Sequence, residues 1–487
     1  MAVPKVCGIE NEFGFAILRK SGSELNPVDL GAYSELSHAF VRDYLNLQKA
    51  ARYDRSREAR RPPDDDEEET LIEKLHRGII ERSGNSADGF LDNGARFYLD
   101  VAHPEYSTPE CLKPLDLVAH DKASELVMLA AADLFYRQKD REGYLLYLHK
   151  NNSDGLGNSY GCHLNMLLNR AAVEHDRHAY LVRHYMPFQI ARMVLIGAGK
   201  FGSENKRPSC RFQISQRADF FENLVGYNTT SERPIFNLRD EPHADFGKYY
   251  RLHDISTDAL LCEEAIFLKV ALTQVVLAMI EDKFLSRNMM PWKPVEAMIK
   301  VSRDLKFRDR IRMENGKKLT GMEILRYYLS KARDYLSGTP MTDQHLLAVK
   351  RAEELLEILE KDPALAFGRL DWATAWKIME SRPAEAKKNL RSFREIYPRN
   401  PHLKLSEKVR GAKLLDSDSI KLATSNPPND TKAYLRSEII KRFGSGIVHM
   451  NWGSAYMRSG DRMIHLDFDE PSLDKLGADM ILSELDR

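Results

Sequence analysis

An α+β fold is expected from three features of the sequence. These are two-residue alternations that read as strands in its first half, a mostly helical pattern from 261 to about 395, and a further helix with strand-like stretches beyond it. The most informative stretch is 94–110, Gly94-Ala95-Arg96-Phe97-Tyr98-Leu99-Asp100-Val101-Ala102-His103-Pro104-Glu105-Tyr106-Ser107-Thr108-Pro109-Glu110. Residues two apart in a strand share a face, so Arg96, Tyr98 and Asp100 are expected on one side. Ala95, Phe97 and Leu99 then point the other way, into apolar packing.

The same spacing occurs near the start, in Val6-Cys7-Gly8-Ile9-Glu10-Asn11-Glu12-Phe13-Gly14, where Glu10 and Glu12 share a face opposite Ile9 and Phe13. Carboxylates crowded on one sheet repel unless a proton or a cation relieves them, which points to a divalent metal. Oxygen ligands suit Mg²⁺, and Mg²⁺ usually arrives with substrate phosphates. Taken alone, either strand reads equally as a solvent-facing strand carrying ordinary surface acids.

At 487 residues the chain is too long for one small core. Hydrophobic residues at 43% and charged residues at 30% describe a soluble globular protein, and Lys plus Arg matches Asp plus Glu at 72 each. No global field therefore favours nucleic acid or an anionic membrane. The cysteines, Cys7, Cys111, Cys162, Cys210 and Cys262, are scattered and odd in number, which reads as reduced thiols in a cytoplasmic protein without a zinc site. The N-terminus has no apolar signal core, and the most apolar helix, about 264–284, is interrupted by Lys269, Thr273 and Gln274. It is expected in the core and not across a membrane.

In chain order, a helix over about 30–47 leads into a charged stretch, 48–70, rich first in arginine (Arg52, Arg55, Arg57, Arg60, Arg61) and then in acid (Asp64 to Glu69). Blocks of like charge without apolar residues are expected to form a flexible loop. A helical stripe follows in Leu71, Ile72, Leu75, Ile79 and Ile80, and the whole insertion reads either as a functional lid or as a tolerated excursion. An amphipathic helix is expected over 120–140, with strands near 143–148 and 161–168. In the second, His163 and Asn165 share a face opposite Leu164. A lone His reads as structural unless its company says otherwise.

Gly197-Ala198-Gly199-Lys200-Phe201-Gly202 lacks the Ser or Thr of a phosphate loop and follows a helix, so a helix stop with a turn is expected. No G-x-S-x-G, C-x-x-C or H-E-x-x-H motif is present. In the block from 212 to 263, Arg217 and Arg239 are candidates for phosphate contacts, because a guanidinium fork matches phosphate oxygens, and His253 is a candidate metal ligand. For each arginine a surface salt bridge is the alternative. Two domains are expected, 1–400 and a small one at 401–487 after a linker at 398–401, with a helix ending near 443 and strands at 447–452 and 462–468.

With these blocks in view, the sequence resembles the Pup ligase and Pup deamidase/depupylase family, relatives of the glutamine synthetase and carboxylate-amine ligase fold. The resemblance rests on Gly8 to Gly14, Asn93 to Asp100, His103-Pro104-Glu105-Tyr106, Lys150-Asn151-Asn152 and Ser159-Tyr160-Gly161-Cys162-His163. It continues in Ser215-Gln216-Arg217, Arg239 to Asp245, Arg251-Leu252-His253 and Asn426-Pro427-Pro428, all in the family's order. It implies a curved, mainly antiparallel sheet that cradles ATP, backed by helices, with a small C-terminal domain. By position, Glu10, Glu12, Glu105, His163 and His253 would be metal ligands, and Arg96, Tyr98, Arg217 and Arg239 would face nucleotide and phosphate. Asp100 would be the catalytic carboxylate.

Two chemistries share that implied site. One is an ATP- and Mg²⁺-dependent amidohydrolase that removes a Pup-like modifier from target lysines or deamidates its C-terminal Gln; the other is the ligase that forms the isopeptide bond through an acyl phosphate. The charged insertion and the spacing Asp100-Val101-Ala102-His103 resemble the depupylase branch, where ligases carry one more residue. Gly8 to Gly14 and Gly157 to Cys162 look more like the ligase. Insertions and spacing set loop geometry near the site, so the depupylase reading leads.

Three departures from the family pattern stand out: Leu164 and Met166 replace Glu and Tyr after His163, Leu260 replaces an Asn, and the linker after Pro398 lacks a Leu-Gln-Tyr run. A divergent modifier is the natural reading of them. The implied partners are that modifier, bound as an amphipathic helix, and its modified targets, with neither nucleic acid nor membrane. A nucleotide-retaining binding module and a small-molecule carboxylate-amine ligase are the readings from other classes.

Overall fold

The computed structural model describes residues 2–21, 24–58, 87–174, 176, 178–339, 341–381, 413–459 and 462–485. The acidic part of the charged stretch, the helical stripe at 71–82 and the linker at 398–401 lie outside the described residues. Main-chain proximity divides the chain into two compact units. One comprises Met1–Gly14, Leu112–Ala119 and Tyr147–Asp416, and the other comprises Phe15–Cys111, His120–Leu146 and Ser417–Arg487.

In the first unit the strands Tyr249–Asp254, Cys162–Asn169 and Cys7–Glu12 lie side by side in that order, each antiparallel to its neighbour. Cys162, Leu164, Met166 and Leu168 are buried, as are Ile9 and Leu252, so one face of these strands is packed. The helices Ala179–Ile196, Glu263–Glu281, Pro294–Arg303, Gly321–Leu336, Asp343–Lys361 and Asp371–Glu380 belong to the same unit. Glu263–Glu281 is buried along its whole length.

The polar residues that interrupt that helix all have partners, which is how a core position tolerates them. Thr273 donates to the Lys269 carbonyl and accepts from Arg192, while Gln274 donates to the carbonyls of Lys5 and Leu112. None of the described helices is long and apolar enough to cross a membrane. Gly321–Leu336 starts at a capping box, in which the Thr320 hydroxyl accepts from the Glu323 N–H and Glu323 accepts from the Thr320 N–H.

A buried ion pair fixes the end of the Tyr249–Asp254 strand. Asp254 accepts from Arg192, from the Tyr185 hydroxyl at 2.6 Å and from the Ser256 N–H at 2.9 Å. Burial pushes this carboxyl up, but Arg192, Ser256 and Tyr185 overcome it and hold it below the usual range. Because both charges are buried, removing either partner would leave an uncompensated ion at a cost of about 3–5 kcal/mol. The backbone that carries His253 is therefore anchored next to that residue.

In the second unit Asp88–Phe90, Arg96–Asp100 and His103–Ser107 form consecutive antiparallel pairs. The helix expected to stop near 47 instead runs from Leu30 to Glu58, so the arginine-rich start of the charged stretch is helical. One reason is visible at Arg52, which reaches Asp92 at 2.5 Å and the Phe90 carbonyl at 2.9 Å, tying that turn of helix to the strand region. The expected helix at 120–140 is Pro114–Arg137.

Residues 433–485 supply a small core of Leu435, Ile439, Ala455, Met457, Phe468, Ala478 and Leu482 between two helices and a three-stranded antiparallel sheet. Arg436, fully buried, joins this core to the turn before Arg96. It donates to both carboxylate oxygens of Glu110 and to the Gly94 carbonyl, and lies 4.7 Å from the Trp452 ring centroid. Gly94 has φ +77°, and a Cβ there would sit 3.0 Å from the Ala433 carbonyl oxygen, so glycine is required on both counts.

Burial in the first unit also sets an acid limit. His184 and His345 are both buried, and desolvation holds each imidazole down to about 4. The folded chain thus binds fewer protons than the unfolded one, whose histidines titrate at about 6.5. Stability from each group is complete above that value and is lost as pH falls from about 6.5 toward 4, at up to about 1.4 kcal/mol per pH unit. Urea midpoints measured in EDTA should fall over this window, and His345→Gln should flatten the slope. A wild-type slope in that variant would contradict the assignment.

Candidate metal and phosphate site

Strand register assembles the first unit's polar cluster. Glu10 lies directly opposite His163, and Asn165 lies opposite both Gly8 and His253. Directly opposed residues share a face, as do residues two apart, so Glu10, His163, Asn165 and His253 project together. The Glu10 carboxylate is the hub. His163 Nδ1 is 3.2 Å from its Oε2, His253 Nε2 is 3.6 Å from the same oxygen, and Asn165 donates to Oε1 at 2.9 Å. The imidazoles meet edge to face with centroids 4.8 Å apart.

The electrostatics suit a cation. His253 is 4% exposed, and neither of its ring nitrogens has a hydrogen-bond partner among the described residues. Burial holds its imidazole down to about 4, against the pull of Glu10, so it stands neutral with a lone pair available. Burial raises Glu10, but its contact with His163 and the approach of His253 more than reverse this and hold it well below the carboxylate range. Ligand atoms of Glu10, His163 and His253 all lie within 4.8 Å of one another. A half-buried carboxylate converging with a buried imidazole fits a divalent ion, with Asn165 donating to the carboxylate and orienting it.

A glycine opens the space beside this cluster. A Cβ on Gly161 would lie 2.4 Å from His163 Nε2 and 2.6 Å from Glu12 Oε1. Those two atoms therefore converge over a position that only glycine leaves free. Glu12 is further fixed through its N–H, which donates to the Gly161 carbonyl.

The arginines fall into two groups. Arg217, 1% exposed, donates to the Tyr160 carbonyl, while its Nε has no hydrogen-bond partner among the described residues. Burial lowers its pKa, with Glu12 and Asp258 opposing. Arg233 stands close by, with its pKa lowered to about 10 by burial and then by the charge of Arg217, and donates to the carbonyls of Thr229 and Ser159. Arg217 and Arg233 thus repel each other beside Glu12, a mutual repulsion that a bound anion would relieve.

Arg239 is different. Its half-exposed side chain pairs with Glu241 at 3.0 Å, Glu241 pairs with Arg251 at 3.2 Å, and Arg251 Nη1 is 3.8 Å from Glu10 Oε1. Arg239 is thus linked to Glu10 through Glu241 and Arg251. Sequence reasoning missed Arg233 and Arg251. The two-apart rule, applied to His253, would have found Arg251; nothing local marks Arg233.

In the second unit Arg96, Tyr98 and Asp100 share a face, as expected, and Phe97 is fully buried behind them. Leu99 is only half-buried, because the strand leaves the packed region there. Arg96 makes a two-pronged bond to Asp88 and lies 4.3 Å over the Tyr98 ring centroid. The Tyr98 hydroxyl donates to Glu105, its register partner, which is 3% exposed. Asp100 is exposed and pairs in register with His103 across a two-residue turn, Val101 and Ala102.

The family described as Pup-ligase protein matches residues 5–456. The depupylase of Acidothermus cellulolyticus is 37% identical over 92% of this chain and 90% of its own length. A Pup–protein ligase of a Nocardioides species is 39% identical over 74% of this chain and 81% of its own. Among solved structures, the ligase PafA in complex with Pup superimposes with a TM-score of 0.79 at 25% identity, covering 99% of this chain and 92% of that one. PafA in complex with ADP gives 0.68 at 27% identity, over 88% and 98%. The α+β chain with its polar strand face belongs to the Pup-ligase protein family.

Gly161→Ala tests the cluster without touching a proposed ligand. Its Cβ can be accommodated by swinging the far ends of His163 and Glu12, so the fold should persist with a thermal midpoint close to wild type. Mn²⁺ affinity by calorimetry should drop at least about tenfold. Undiminished binding would mean that His163 is not a ligand.

Proposed function

We propose that this chain is an ATP- and Mg²⁺-dependent amidohydrolase that releases a Pup-like modifier from target lysines and deamidates the modifier's C-terminal Gln. The observation that carries the reading is the tight turn from Asp100 to His103, two residues long, at the end of a strand that ends in an exposed carboxylate. The match to a depupylase over 92% of the chain, against 74% for a ligase, supports the same branch.

Asp100 acts on the carbonyl of the isopeptide or amide, as nucleophile or by activating water. Arg96 and Tyr98 hold their strand face beside it. Glu10, Glu12, His163 and His253 would hold the metal, and Arg217, Arg233, Arg251 and Arg239 would meet phosphate oxygens. When bound, the nucleotide and Mg²⁺ supply a charge-neutralised polyphosphate that the hydrolytic direction requires but does not consume. ADP bound to PafA supports nucleotide use, and five cysteines without a disulfide among the described residues support a cytoplasmic setting.

The ligase reading is favoured by the 39% identity to a ligase. The same assay separates the two. Conjugate incubated with ATP and Mg²⁺ should disappear without matching ADP, and Asp100→Asn should slow this by roughly 10³-fold or more. Growth of conjugate from free modifier and target, with ADP in step, identifies the ligase instead. Full activity in Asp100→Asn removes Asp100 from the chemistry.

A further inference from the structure

The turn that follows Asp100 is built against local preference. Val101 has φ +53°, a left-handed conformation in which a β-branched residue is an outlier and where Gly or Asn sits without penalty. It is also 90% exposed, so no core packing explains an aliphatic side chain there. The turn is nevertheless held firmly. Tyr33 places its hydroxyl 2.9 Å from both the Ala102 and Phe15 carbonyls, and its ring packs against Phe15 at 6.0 Å. Tyr33 is partly buried, and burial pushes its pKa up to about 12, so it remains a hydroxyl donor. A strained residue kept in place by its surroundings, next to a reactive group, is the pattern that points to function.

We propose that Val101 is a specificity-determining contact for the leaving group: it packs on the methylene stem of the modified lysine. This rests on the functional reading above. The isopeptide nitrogen leaves with four methylenes attached, whereas deamidation releases ammonia, which has no stem to contact. An apolar side chain one residue from the carboxylate, presented by a clamped turn, distinguishes the two substrates. It contributes to isopeptide cleavage and not to amide cleavage.

The test compares Val101→Asn, which tolerates the backbone conformation and removes the apolar contact, with Val101→Ile, which keeps it. Rates are taken on a lysine conjugate and on free modifier ending in Gln. Val101→Asn should leave the thermal midpoint no lower than wild type, because the backbone is relieved. Its KM on the conjugate should rise about tenfold, the loss expected for one aliphatic contact, with deamidation and nucleotide affinity unchanged. Val101→Ile should stay within about twofold on both substrates.

Equal losses on both substrates would mean that the turn only shapes the site, and no loss on either would mean that Val101 touches nothing; each outcome overturns the inference while leaving the functional reading intact. A wild-type chain inactive on both substrates overturns the functional reading, and this inference with it.

Discussion

One constraint organises the first unit: the Glu10 carboxylate must face two imidazoles and an amide at once. Antiparallel register meets it, because Glu10 opposes His163 while His253 and Asn165 oppose each other one step along the same face. A shift of one residue in either pairing would turn these side chains into the core and send Ile9 or Leu164 out. The buried opposite face, with Ile9, Leu164 and Leu252, makes that slip costly. Apolar packing thus fixes the chemistry by fixing the register, and the Arg192–Asp254 pair adds a second lock beside His253.

The second unit meets a related demand differently. Its Arg96–Asp100 strand is short and ends in a strained turn, so precision comes from what surrounds it. Arg436 and Asn93 secure the preceding turn. Asn93 accepts from the Ala95 N–H and donates to the Tyr106 hydroxyl and the Ala423 carbonyl. Residues 417–487 therefore share a compact unit with residues that flank the proposed catalytic carboxylate, which gives the C-terminal core a structural reason to exist.

Legibility in the sequence followed periodicity. Alternation identified the faces of Arg96, Tyr98 and Asp100 and of His163 and Asn165, because a regular strand leaves no freedom in that respect. It could not pair strands distant in sequence, so the meeting of Glu10 with His163 and His253 was reached through family resemblance. Arg233 was invisible because its position depends on carbonyls at Ser159 and Thr229, in loops without period. The helix end at Glu58 was missed because charge composition argued for a loop, while Arg52 finds a tertiary partner in Asp92. Leu164, a departure from the family pattern, is fully buried, as its face demanded.

The most direct measurement is anomalous diffraction from crystals of the full chain soaked in Mn²⁺, which stands in for Mg²⁺ and scatters strongly. A peak bonded to Glu10 and to nitrogens of His163 and His253 is the expected result. No peak there, with Mn²⁺ bound elsewhere, would contradict the claim that this strand register exists to hold a cation.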